Sequence, residues 1–207
     1  MITLENISVQ NIINDSLKKA ISYQDYRTLV NQLVAEKSTT GNEKTEALVN
    51  YTMLNDRRMK RWDKTIKISE AIKESVSNFS GNVTWLVITE SWCGDAAHVI
   101  PVLNKIAELS EYIDLKLVFR DENEELMDEF LTNGGRAIAK LIMIDNTTGE
   151  VVNTFGPRPS EAIQLVNNYK VEHGKLTPEF KEELQGWYNK NKGQNIISDV
   201  MTLLGIG

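Results

Sequence analysis

Cys93 is the single cysteine among 207 residues, and it stands in the string Trp92-Cys93-Gly94-Asp95-Ala96. Cysteine chemistry runs through the thiolate, which backbone amides and the macrodipole at a helix N-terminus favour. A short β-branched apolar run, 83–89, comes just before this string and a helical pattern, 93–109, starts with it. That places Cys93 where a strand ends and a helix begins, the edge at which open α/β sheets build their sites. Asp95 puts a like charge in the same turn. Each effect amounts to about 0.3–1 kcal/mol at an exposed helix end, so the two largely cancel and the thiol is expected near its ordinary value of about 8.5. An accessible Cys93 is therefore expected, with Trp92 beside it and Asp95 acting as a first-turn partner of the helix dipole. His98 lies five residues on, about half a turn away from facing Cys93, and is a poor general base.

The elements that must position this turn follow from periodicity. Residues 1–80 read as a helical extension. Ser22 and Asp25 are spaced as a capping box, Gly41-Asn42 breaks the chain, and one long helix is expected over 43–76 with a basic cluster between Arg57 and Lys67. That cluster reads most simply as a solvated face. The run 83–89 is the pattern of a strand buried on both faces. A helix at 93–109, a strand at 115–119, a helix at 122–131 and strands at 140–144 and 151–155 complete a β-α-β-α-β-β order. The polar stretch 145–150 suits a hairpin, so the last pair is expected antiparallel and the earlier strands parallel. Helices are expected over 160–172, over 178–190 behind a Thr177 cap, and over 196–204. His173-Gly174 reads as a helix end, and Trp62, Trp85 and Trp187 as packing residues.

Together these residues resemble the thioredoxin superfamily: a hydrophobic strand, W-C-G-x-x, and Pro101 eight residues after the cysteine, followed by Val102-Leu103 and Ile106-Ala107. Ile138-Ala139-Lys140-Leu141-Ile142 is similar to the family's segment entering the third strand, and Thr148-Gly149-Glu150-Val151-Val152 with Gly156 to its closing hairpin. More narrowly, Trp92–Ala96, Arg120-Asp121-Glu122-Asn123 and Gly156-Pro157-Arg158-Pro159 look like a bacterial thioredoxin-like family carrying W-C-G-D-A. The resemblance implies an α/β thioredoxin-like core, a three-layer α/β/α arrangement on a mixed sheet over 83–169. The helical extension precedes this core and additional C-terminal helices follow over 170–207, all within one elaborated domain spanning 1–207. It implies Cys93 as the reactive residue, with Trp92, Gly94, Asp95, Ala96, Asp121, Arg136, Ile138, Ala139 and Arg158 as residues lining a site. Arg120, Arg136 and Arg158 would bring positive charge to the same end.

Two positions depart from the family. Its resolving cysteine corresponds to Ala96 and its cis-proline to Ala139. Without a second thiol, a mixed disulfide on Cys93 persists until an outside thiol attacks it, so dithiol turnover is excluded. A non-proline residue disfavours the cis form by about 2.5–4 kcal/mol, so Ile138-Ala139 is expected to be trans.

The formal net charge of -6 disfavours nucleic acid and acidic membrane surfaces as general partners. No stretch approaches the roughly 20 apolar residues that span a bilayer, and residues 1–20 do not pattern as a leader. With one cysteine, a reducing, cytoplasmic setting is expected. No metal or cofactor is expected, and a cluster bridged between two chains is the weakest alternative. Two functions stay open: a single-cysteine thiol–disulfide oxidoreductase forming mixed disulfides with a protein or small thiol, or a redox-inactive binding module.

Overall fold

The computed structural model describes residues 4–206; residues 1–3 of the expected helical extension, and Gly207, lie outside the described residues. Four helices come first: α1 (Leu4–Leu17), α2 (Tyr23–Ala35), α3 (Glu46–Thr65) and α4 (Glu70–Ser77). Ser22 caps α2 as its spacing with Asp25 predicts, the Asp25 N–H donating to Ser22 Oγ at 3.1 Å. The long helix expected over 43–76 is two helices. Ile66 leaves α3 in an extended conformation, and Ser69 caps α4 by accepting from Ile72 N–H.

The sheet holds β1 (Val83–Thr89), β2 (Ile113–Phe119), β3 (Lys140–Asp145) and β4 (Val151–Phe155) in the order β2-β1-β3-β4. Every residue of β1 is buried, because it lies between β2 and β3 and has helices over it, which explains its unbroken apolar run. β1 and β2 are parallel. β3 runs antiparallel to both β1 and β4, so only one pair is parallel, against the expectation that all the helix-linked strands would be. A helical connection does not dictate direction when the chain re-enters from the opposite end, as it does after the short α6 (Glu124–Glu129) and the loop to Lys140. The helix expected over 122–131 is a 3-10 turn at Arg120–Glu122 followed by α6.

α5 (Ala96–Ala107) carries Pro101 and is almost entirely buried between the sheet, α3 and α9 (Gln194–Leu204). Its first helical residue is Ala96, so Cys93 lies in the turn before the helix rather than inside it, although its carbonyl accepts from Ala97 N–H at 3.2 Å. The extension closes onto the outer edge of the sheet, where Ile21 and Leu117 exchange two backbone hydrogen bonds of 2.9 Å. α7 (Ser160–His173) ends at Gly174 with φ +76°, and α8 (Pro178–Asn191) starts behind the Thr177 cap, both as the sequence predicts. The result is a thioredoxin-like α/β fold with extra helices at both ends.

Gly156, just after β4, has φ +108°, and a Cβ there would come within 2.2 Å of the Ala139 carbonyl oxygen. Gly156→Ala is expected to destabilise the fold by at least about 2 kcal/mol, read as a lower urea midpoint at unchanged slope. A change under about 0.5 kcal/mol would show that the backbone there is not held as described.

Candidate functional site

The turn from Glu90 to Asp95 leaves β1 and is gripped by the N-terminal helices. Ser91 N–H donates to Thr40 Oγ1 at 2.8 Å, while Ser91 Oγ meets Thr52 Oγ1 at 2.9 Å and Thr39 Oγ1 at 3.1 Å. Asn55 on α3 donates to the Ser91 carbonyl at 2.9 Å and itself accepts from Arg58. All four hydroxyl residues and Asn55 are buried. Buried polar groups persist only when hydrogen-bonded, so this cluster fixes the turn against α3. Arg58 Nη1 lies 3.6 Å from where a Cβ on Gly94 would sit, which brings the α3 guanidinium against the residue that follows the cysteine.

Cys93 is 7% exposed, not accessible as its position in the sequence suggests. The packed surroundings of the turn, rather than its place before a helix, decide this. Its Sγ donates to the Ile138 carbonyl at 3.2 Å. Burial pushes the thiol up to about 12, and the neighbouring Asp95 charge adds to the effect. The backbone amides of Ala96 and Asp95 and the Arg158 guanidinium oppose it without offsetting it. The near-cancellation expected from helix dipole and Asp95 alone therefore fails, because desolvation outweighs both.

The Ile138–Ala139 peptide is cis, contrary to the trans expectation, and Gly156–Pro157 is cis as well. The segment is enclosed by its packing: Ile138 oxygen receives the thiol, and Ala139 oxygen presses on Gly156. Ala96 is buried under the same turn.

Asp95 is the hub of the polar part. Arg158 Nη2 reaches its Oδ2 at 2.6 Å and the Tyr188 hydroxyl donates to its Oδ1 at 3.1 Å; the Asp95 and Arg158 side chains are 12% and 24% exposed. Burial nonetheless raises the Asp95 carboxyl above its ordinary range, the charge and hydrogen bond of Arg158 and the Tyr188 hydroxyl countering only in part. The ring of Tyr188 stacks on His98 at 4.2 Å. His98 Nδ1 accepts from Trp62 Nε1–H at 2.8 Å, so its Nε2 carries the proton and donates to Gln185 Oε1 at 2.6 Å.

The remaining sequence candidates scatter. Trp92 is half-buried with the Arg120 guanidinium 4.9 Å from its ring centroid. Asp121 turns to the 41–42 loop, accepting from Asn42 N–H at 2.8 Å, and its own N–H donates to the buried Glu90 at 3.0 Å. Arg136 is engaged by Glu124 and Asp128 on α6 and does not join the cysteine turn. Of the three arginines expected at this end, Arg158 meets Asp95 and Arg120 reaches Trp92. Tyr188, Asn55, Arg58 and the hydroxyl cluster carry no local signature. Only the basic stripe on α3 could have drawn attention to Arg58. Among the described residues no three His, Cys, Asp or Glu side chains are grouped to hold a metal ion, and no helix is long and apolar enough to cross a membrane.

Residues 41–170, more than half of the chain, match a family model described as Thioredoxin, and the chain belongs to that family. No curated protein matches it. Two solved structures share the fold. One is a protein of unknown function from Pseudomonas aeruginosa, 17% identical, with a TM-score of 0.58 over 73% of this chain and 84% of its own. The other is an HIV epitope scaffold, 15% identical, with a TM-score of 0.56 over 89% of this chain and 98% of its own.

Burial pulls His98 down to about 3. An unfolded imidazole takes up its proton near 6.5, whereas the folded one stays neutral, so this contribution is complete above about pH 7 and is lost as acid is added. Between pH 7 and pH 5 the wild type is expected to lose roughly 2 kcal/mol more than His98→Gln in urea titrations. Equal losses would show that His98 is solvated in the folded chain.

Proposed function

We propose that the chain is a thioredoxin-fold binding module that has given up dithiol turnover, with Cys93 kept as a packed, hydrogen-bonded thiol. The observation that carries this reading is the sealing of the chain's single cysteine: Sγ is buried, donates to Ile138 oxygen and is pushed up to about 12. A nucleophilic cysteine needs an exposed thiolate in an electropositive setting. Here desolvation and Asp95 both act against it. The residue that would resolve a mixed disulfide is Ala96, itself buried.

One observation favours the other reading, a single-cysteine oxidoreductase that forms mixed disulfides with a protein or small thiol. The amides of Ala96 and Asp95 and the Arg158 guanidinium all favour negative charge on the sulfur. They would support a thiolate once the turn opened.

Alkylation separates the two. At pH 8, the shift from the ordinary thiol value to about 12 lowers the thiolate population on the order of a thousandfold. Iodoacetamide is expected to label Cys93 at least that much more slowly in the folded chain than in urea, and the folded chain is expected to show no disulfide-reductase turnover. Folded-state labelling within about tenfold of the unfolded rate would remove the binding-module reading and leave the mixed-disulfide one.

A further inference from the structure

In the basic cluster on α3, Lys60 pairs with Asp56, whereas Arg58 and Arg61 donate only to the neutral amides of Asn55 and Asn189 and Arg57 has no ion pair among the described residues. Arg61 lies four residues after Arg57 and three after Arg58, so it neighbours both on the surface of the helix. The three arginines line a depression of about 260 Å³ between α3 and α8. Gln185 and Asn189, again four apart, form the opposite wall, and His98 lies beneath. No Asp or Glu lines it, and among the described residues none of the three guanidiniums has a carboxylate within 4.0 Å. In a chain of net charge -6 this is a local concentration of uncompensated positive charge.

We propose that this depression binds the oxyanion group, phosphate or carboxylate, of a small molecule beside the Trp92–Ala96 turn. The proposal deepens the binding-module reading by naming a class of ligand for it. Guanidinium forks match phosphate and carboxylate oxygens bidentately, and three on two adjacent helical turns converge on one small volume. Arg58 is held below the ordinary guanidinium range by burial first and by the Arg61 charge next, and an anion between the two offsets that repulsion. Asp95, the carboxylate facing Arg58 from the cysteine turn, is already committed to Arg158 and Tyr188. On the opposite wall, Gln185 Oε1 is taken by His98, which leaves its amide N–H groups as donors to an occupant. The volume sits just below the range of pockets for whole drug-sized ligands, which suits a compact charged group rather than a polymer. Arg58 lies against Gly94, so an occupant would sit next to the cysteine turn.

Calorimetric titration of the full chain with inorganic pyrophosphate and, in a second arm, malonate tests this at fixed ionic strength. One saturable site for either anion is expected, and the stronger arm distinguishes a phosphate from a carboxylate ligand. Arg57 and Arg61 are exposed, so R57Q/R61Q is expected to fold and to bind at least tenfold more weakly. The exposed pair K170Q/K175Q removes the same charge elsewhere and is expected to bind as the wild type does. Absence of saturable binding in both arms, or equal weakening by the two double variants, overturns the proposal. Rapid alkylation of Cys93 would overturn the redox-inactive reading without touching this site, so the two failures are distinguishable.

Discussion

The turn between β1 and α5 depends on its desolvation. Ser91, Thr39, Thr40 and Thr52 are buried together, and their hydroxyls hydrogen-bond to one another. A buried hydroxyl left without a partner costs about 1–3 kcal/mol, so the cluster holds the turn to the α2–α3 segment as a unit. With Ser91 fixed, the chain delivers Cys93 under the 138–139 segment and Asp95 to Arg158. The N-terminal helices are therefore part of the site rather than an appendage to it. The Arg27–Asp56 pair, 3.0 Å apart and part-buried, also ties α2 to α3.

Burial also decides the chemistry of the groups within the turn. In a solvated thioredoxin-like site, a helix N-terminus and an arginine would stabilise a thiolate. Here the same amides and Arg158 are present, yet the thiol is driven up because water is excluded from it. Asp95 shows the same balance: its partners favour the carboxylate, while desolvation raises it further than they lower it. The second layer, Tyr188 over His98 with Trp62 and Gln185 at the imidazole nitrogens, fills the space beside α5 with neutral, mutually satisfied groups. Both imidazole nitrogens of His98 are engaged there, and neither faces Cys93.

Local patterns were legible where the physics is local. The β1 run, the caps at Ser22 and Thr177, the turn through Gly149 and the helix end at Gly174 follow from periodicity and backbone preference, and all occur as read. The fold class was legible from the W-C-G string with Pro101, supported by the family match over residues 41–170. The direction of β3 was not, since strand order is settled by where the chain re-enters the sheet. Nor was the burial of Cys93, whose Sγ meets the Ile138 carbonyl 45 positions further along the chain. Tyr188 stands 93 positions from the Asp95 it contacts, and nothing near either residue signals the pairing. The cis geometry at Ala139 is invisible to a rule that associates it with proline.

The folded chain holds Cys93 as a neutral, hydrogen-bonded thiol, and the ultraviolet absorbance of the thiolate reads this directly. In a pH titration of the native protein, with Cys93→Ser subtracted to remove tyrosine ionisation, no thiolate step is expected below about pH 10, and unfolding in urea should bring the step back to about 8.5. A native-state step at or below about 8.5 would mean that the thiol is solvated in the folded chain and that its thiolate is in reach at neutral pH.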